Sequence, residues 1–263
     1  METTKMYPRS TTSLSDCPKC HGTGWIQYES DEGTEEIYGN LVMLSYAKKC
    51  DCNNNEMINP DRTELPQNYR DCKLEEFDFK AYSIDTSNLE TVAMNFFNNY
   101  KEWKAASKGL YLWSKTPGSG KTFLSACLAK SVMYRTQKLV KYITPVNYID
   151  KVAQGYKDRN LVDPSLIYRT CELLILDDLG AQMDIKNKDW YAQELFRLID
   201  TRSSNGLCTI FTSNMNIEHL NVDERLKSRI MKSSIIVHMP EESIRNKLAN
   251  EEQSNFINHV LGG

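Results

Sequence analysis

The stretch Ser114-Lys-Thr-Pro-Gly118-Ser-Gly120-Lys121-Thr122 constrains the fold more than any other part of this 263-residue chain. It stands between Gly109-Leu-Tyr-Leu-Trp113, which reads as a buried strand, and a helical pattern over residues 121–134. Strand, glycine-bearing loop and helix in that order make a phosphate-binding loop. Backbone N–H groups of Gly118, Ser119 and Gly120 can wrap a polyphosphate at the positive end of the helix, Lys121 can reach the outer phosphates, and the Thr122 hydroxyl can hold magnesium. The pattern G-x-x-x-x-G-K-[ST] wants glycine where Lys115 stands, so the loop entrance is atypical. Lysine fits there if the backbone angles are ordinary. A loop that keeps its shape and binds nothing is the alternative reading.

A phosphate loop that supports hydrolysis needs a second strand bearing carboxylates. Leu173-Leu-Ile-Leu176-Asp177-Asp178 supplies an apolar strand ending in two acids. Asp177 is placed to hold the magnesium shell and Asp178 to orient and deprotonate an attacking water; the blander alternative has Asp178 capping the turn before Gly180. Thr209-Ile-Phe-Thr-Ser-Asn214 is another apolar strand with a polar end, which in a parallel sheet delivers Asn214 beside the phosphates. Asp223 to Lys232 reads as a basic helix. Its Arg229 belongs either to a solvated helix face or to the site of a neighbouring subunit. The expected fold is α/β, with five parallel strands near 109–113, 138–143, 172–177, 207–213 and 234–238. About 25 residues follow the last of these, room for one helix. A further helix is expected from residue 88, where Leu89, Val92, Phe96 and Tyr100 recur at a period near 3.6.

Four of the eight cysteines lie before residue 60, as Cys17-Pro-Lys-Cys20 and Cys50-Asp-Cys52. Two close thiolate pairs joined by a hairpin make a tetrahedral four-sulfur zinc site of the zinc-ribbon kind. A redox pair, uncoordinated thiols, or His21 replacing one thiolate stay open as alternatives. The expected hairpin strands are Trp25–Tyr28 and Glu36–Tyr46, with a turn at residues 30–33. Four sulfurs leave no open position for catalysis, so this zinc is structural. Residues 53–69 are polar and rich in turn formers, which sets the domains as 1–60, a linker and arm over 61–87, and 88–263.

Charge says less: 32 Lys and Arg against 35 Asp and Glu leave a net of −3, and residues 1–60 hold five basic against nine acidic side chains. An acidic front end argues against a nonspecific DNA clamp there and suits a protein partner. The longest apolar runs fall far short of the ~20 residues that span a bilayer. The first residues lack the apolar core of an export signal, so a cytoplasmic protein with reduced thiols is expected.

Taken together, GLYLWSKTPGSGKTFLSACLAK, LLILDDLGAQ, TIFTSNM and ERLKSRI resemble the AAA+ replicative helicase loaders of the DnaC/DnaI type, bacterial or phage, over about residues 60–263. The DnaI-type branch also carries an N-terminal zinc-binding domain that contacts the helicase. The resemblance implies Lys121 and Thr122 as the Walker A pair, Asp177 and Asp178 as the Walker B acids, Asn214 as sensor 1, Arg229 as arginine finger and Arg245 as sensor-2 arginine. It implies ATP, Mg2+ and Zn2+ as cofactors and an ATPase with a reduced C-terminal lid, and slow hydrolysis is expected because Lys115 replaces the family's glycine and Asp178 makes the acidic pair Asp-Asp instead of Asp-Glu. The implied partners are the hexameric replicative DNA helicase, single-stranded DNA and other copies of the chain, with no membrane. Single-stranded DNA contact would fall at Lys151, Lys157 and Arg159; the favoured alternative is that these are solvated side chains, since Tyr148 and Tyr156 beside them read equally well as packing residues. An IstB-like transposition helper ATPase and a non-hydrolysing nucleotide-binding helicase adaptor are the alternatives.

Overall fold

The computed structural model describes residues 25–37, 40–49, 60–157, 163–180 and 188–245. The chain divides into two compact units, Met1–Asn59 and Pro60–Gly263. In the first unit β1 (Trp25–Ile37) and β2 (Asn40–Lys49) form an antiparallel hairpin. The expected turn at residues 30–33 lies instead inside β1: pairing runs from Trp25↔Lys49 to Glu29↔Ser45, shifts, and resumes from Thr34↔Met43 to Ile37↔Asn40. Five steps along one strand are matched by two along the other, a bulge that absorbs the acidic, glycine-containing stretch without ending the ladder. Cys17, Cys20, His21, Cys50 and Cys52 lie outside the described residues.

The second unit opens with an arm of short 3-10 turns, Pro60–Thr63, Gln67–Tyr69, Leu74–Glu76 and Phe79–Ala81. Its apolar residues Leu65, Leu74, Phe77, Phe79 and Tyr82 are buried in the same core cluster as Leu124 and Leu128 of the helix that follows the phosphate loop. Burial on that scale, worth roughly 1.5–3 kcal/mol per large side chain, makes the arm part of the folded body. Glu64 adds a polar tie: its carboxylate accepts from Lys141 Nζ and Tyr168 Oη, each at 2.6 Å.

Helix α1 (Ser87–Asn98) and helix α2 (Tyr100–Ala105) follow. The expected single helix breaks at Asn99, which has φ −115° and ψ 30°. Adjacent asparagines are poor helix formers, and the bend stacks Phe96 edge-on against both Tyr100 and Trp103. The remaining order is β3 (Gly109–Trp113), α3 (Lys121–Thr136), β4 (Val140–Ile143), α4 (Pro145–Lys157), α5 (Leu166–Thr170), β5 (Leu173–Leu176), α6 (Lys188–Ser204), β6 (Cys208–Ser213), α7 (Glu224–Ser233) and β7 (Ser234–His238).

The five strands pair as β4-β5-β6-β3-β7, every ladder parallel. The apolar runs of β3 and β5 fit central strands covered on both faces, whereas the edge strand β7 leaves Ile235 and Ile236 exposed. One face packs on the arm, α1 and α3 through residues such as Phe96, Leu124 and Leu128. The other packs on α4 to α7 through Tyr148, Leu198 and Ile230.

A buried arginine ties α5 and α6 to the sheet at the amino ends of β5 and β6. Arg202 of α6 is 1% exposed. Its guanidinium donates to the carbonyls of Tyr168, Cys171 and Cys208, at 2.8, 3.0 and 2.5 Å, and to Thr209 Oγ1 at 2.9 Å. The opposite ends of the strands are where an open α/β sheet receives ligands. No helix among the described residues is long and apolar enough to cross a membrane.

Candidate functional site

The phosphate loop leaves the carboxyl end of β3, the middle of the sheet. Gly118 and Gly120 have φ of 78° and 88°, a region open mainly to glycine. A Cβ at Gly120 would stand 2.9 Å from Tyr82 Oη, and one at Gly118 would stand 2.6 Å from Ser243 Oγ. Tyr82 Oη donates to Ser119 O at 2.8 Å, so the arm braces the loop from outside. Lys115 is not among the residues with positive φ. The corner therefore accepts a lysine, whose side chain is exposed.

Lys121 begins α3 and is 8% exposed. Its Nζ donates to Ser114 O, Thr116 O and Ser119 Oγ, each at 3.1 Å, so the ammonium sits inside the curl of the loop. Burial lowers its pKa, while Glu241, Asp178 and Asp177 oppose that effect.

Asp177 follows β5 and is buried. Three hydroxyls from three elements converge on its carboxylate: Thr122 Oγ1 at 2.8 Å and Thr212 Oγ1 at 2.6 Å donate to Oδ1, and Tyr142 Oη at 2.7 Å donates to Oδ2. Burial and the neighbouring carboxylate push the Tyr142 phenol well above its usual range, so it stays a donor. Asp178 next to it has φ 61°, a left-handed backbone that only a few non-glycine types adopt readily. Its N–H donates to Thr212 Oγ1 at 2.8 Å, and its Oδ1 accepts from Asn214 Nδ2 at 3.1 Å. Burial and then the Asp177 charge raise the Asp178 pKa, with Lys121 pulling the other way. A strained residue held by its surroundings next to a buried acid is a common mark of a working site.

A cavity of about 610 Å³ opens over the loop and the two acids, to which the arm contributes Tyr69 and Phe77 and the segment after β7 contributes Ile244 and Arg245. Gly118, Ser119, Gly120, Lys121, Thr122, Asp177, Asp178, Asn214 and Arg245 all border it. Arg229 does not. It projects from α7, and its Nε lies 2.7 Å from Asp200 Oδ1, a charge contact without the alignment of a hydrogen bond. Of the residues expected at DNA, Lys151 is partly buried on α4 and Arg159 lies outside the described residues. Tyr148 is fully buried against Tyr168, as packing requires, whereas Tyr156 is 61% exposed.

Thr212, Tyr142 and Glu241 are site residues to which the sequence motifs assigned no role. Thr212 had a signal: it stands two residues before Asn214, so along an extended chain their side chains leave on the same side. Glu241 follows β7, and its carboxylate accepts from Ser114 Oγ, Lys115 N, Thr116 N, Thr116 Oγ1 and His238 Nε2 at 2.7–3.0 Å. Burial alone would raise its pKa, but the bonds from His238, Lys115 N–H, Thr116 and Ser114 hold it down to about 2.

The donor set fits a nucleotide with a hard divalent cation: a glycine-lined curl of N–H groups, a buried ammonium, and a hydroxyl and carboxylate oxygen side by side. Among the described residues no cluster of His, Cys, Asp and Glu makes a metal site by itself.

The sequence profile of the IstB-like ATP binding protein family matches residues 56–252. The replicative helicase loader DnaI of Bacillus subtilis (strain 168) is 28% identical over 143 residues, covering 52% of this chain and 44% of that protein. The chromosomal replication initiator protein DnaA of Streptococcus thermophilus is 29% identical over 115 residues, 43% of this chain and 25% of that one. The chain thus spans less than half the length of these curated relatives. Among solved structures, the DnaC helicase loader superposes with a TM-score of 0.55 at 19% identity, over 66% of this chain and all of that one. DnaA bound to AMPPCP and single-stranded DNA gives 0.56 at 20% identity, over 73% and 56%. At such identities the likeness is one of fold, that of AAA+ P-loop NTPases.

Proposed function

We propose that this chain, which belongs to the family of IstB-like ATP binding proteins, is a cytoplasmic ATPase that loads the hexameric replicative DNA helicase onto single-stranded DNA. The observation that carries the enzymatic half is the convergence of the Thr122, Thr212 and Tyr142 hydroxyls on Asp177, beside the phosphate loop and the strained Asp178. Gly118, Ser119 and Gly120 would bind the phosphates and Lys121 would neutralise them. Thr122 and Asp177 would hold Mg2+, which when bound supplies positive charge to the phosphate oxygens. Asp178, with its raised pKa, would accept a proton from the attacking water. Asn214, already bonded to Asp178, would orient that water. Arg245 at the cavity rim would sense the phosphates. Slow, assembly-stimulated turnover fits a site whose Arg229 contacts Asp200 and is not part of the cavity lining.

The loading half is supported by the likeness to DnaI and by the acidic residues 1–60, proposed as a helicase-docking domain with one zinc on Cys17, Cys20, Cys50 and Cys52. Residues 61–87, with Leu65, Leu74, Phe77, Phe79 and Tyr82 buried in the core of the second unit, would lead from it into the AAA+ domain over 88–263, and DNA would run past Lys151, Lys157 and Arg159. The test is native mass spectrometry of the full chain with its cognate replicative helicase, with and without ATP. A stoichiometric complex with one zinc per chain is expected. Absence of any complex under all nucleotide conditions would turn the assignment to the IstB-like transposition helper, and a complex without ATP turnover to the adaptor.

A second prediction concerns Arg229. In Arg229→Ala, ATP affinity is expected to stay within about twofold of wild type, because the side chain lies outside the cavity, while assembly-stimulated hydrolysis falls ~10³-fold or more. An equal loss of binding would remove the assignment of Arg229 to a neighbour's site.

A further inference from the structure

We infer that Glu241 is a latch that sets the entrance of the phosphate loop and fastens it to the segment carrying Arg245, a positioning residue for nucleotide binding. The inference rests on the nucleotide reading of the site. It starts from Lys115, where the phosphate-loop pattern has glycine. With no positive φ at this corner, the two successive N–H groups of Lys115 and Thr116 point outward to the Glu241 carboxylate, at 3.0 and 2.9 Å. The hydroxyls of Ser114 and Thr116 reach the same carboxylate at 3.0 and 2.9 Å. Four donors from three consecutive loop residues thus end on one side chain from the far side of β7.

Glu241 is itself held. His238 Nε2 lies 2.7 Å from its Oε1, and the His238 ring stacks at 4.0 Å and 15° on Trp113, the last residue before the loop. The chain then runs alongside the loop: Ser83 donates its N–H to Glu242 at 3.0 Å, and Arg245 N donates to Gly118 O at 3.3 Å. Residues 241–245 therefore touch the loop at its entrance and at its first left-handed glycine. A change in loop shape moves Arg245 with it.

A carboxylate so near a phosphate site would normally oppose an anion. Hydrogen bonds to a charged acceptor are about twice as strong as neutral ones, and here they commit the entrance N–H groups away from the ligand. The N–H groups from Gly118 onward remain for phosphate. Latch and repulsion predict opposite signs for the neutral substitution. If Glu241 mainly repels phosphate, Glu241→Gln tightens ATP binding; as a latch, its loss loosens the loop and weakens it.

The test uses the full chain as wild type, Glu241→Gln and Glu241→Ala. Hydrogen exchange in the nucleotide-free protein is read over the peptide containing Lys115 and Thr116, with β5 as reference, and ATP affinity is read by calorimetry. Expected are exchange about tenfold faster at the loop in Glu241→Ala with β5 unchanged, a smaller acceleration in Glu241→Gln, and a roughly tenfold weaker ATP Kd in both. Unchanged loop exchange, or tighter ATP binding in Glu241→Gln, overturns the latch. Failure of the wild type to bind ATP would count against the nucleotide reading alone, and the exchange result would still decide whether Glu241 holds the loop.

Discussion

Lys121→Ala is expected to weaken ATP binding at least ~100-fold, beyond the reach of a calorimetric titration at micromolar protein. The ammonium is buried inside the loop curl with three oxygen partners. A hydrogen bond to a charged group is worth about 1.5–3 kcal/mol, and each ~1.4 kcal/mol is a factor of ten in Kd, so loss of one such contact to each of two phosphates accounts for the effect. Folding should be spared. The loop oxygens that lose the ammonium stand beside the cavity bordered by Ser119 and Lys121, where water can replace it, and alanine suits the first turn of α3. Thermal unfolding checks both halves: wild type should gain stability with ATP and Mg2+ through mass action, and the variant should melt near the wild-type apo temperature at every ATP concentration. Binding within about fivefold of wild type would mean that phosphate lies elsewhere.

Arg202→Met is the complementary case, expected to cost ~3–5 kcal/mol of stability with little direct effect on ligand affinity. Methionine fills part of the volume and removes the buried charge, so the penalty comes from what is left behind. Three carbonyls, of Tyr168, Cys171 and Cys208, and the Thr209 hydroxyl lose their donor in a dry interior. Each orphaned group costs about 1–3 kcal/mol, reduced where the backbone can relax. For a unit of this size that is a fall in Tm on the order of 10 °C, measurable by near-UV circular dichroism. A Tm within about 2 °C of wild type would show that water takes over the bonds.

Much of the sheet was legible because its signals are local. Leu173 to Leu176 and Thr209 to Ser213 are apolar runs with polar ends, and the order of glycines, Lys121 and Thr122 dictates a strand before and a helix after. Sequence pattern placed β3 and β7 at their observed limits and overextended β4 and β5 by one or two residues, the usual fraying of element ends. What stayed hidden depends on neighbours in space. Tyr142 reaches Asp177 only because β4 lies beside β5 with Tyr142 level with Ile175. Glu241 meets Lys115 only because β7 pairs with β3, 125 positions apart at Gly109↔Ser234. The hairpin register was missed for a related reason: Ser30 to Gly33 has the composition of a turn, and the cross-strand pairs on either side of it outweigh that preference. The break at Asn99 was hidden because apolar periodicity persists across it while the backbone bends.

Strand β6 connects the two ends of the sheet in six residues. Its first pair, Cys208 and Thr209, receives the Arg202 guanidinium, and at its other end Thr212 serves both acids. Damage at the two ends should therefore be distinguishable in a living cell. Variants near Cys208 would lower the amount of protein by feeding it to quality control, whereas variants near Thr212 would leave a full complement of inert molecules competing with active subunits in any shared assembly. If copies of the chain assemble as proposed, loss at the first end is recessive and loss at the second dominant, although the two positions lie on one strand only ~13 Å apart.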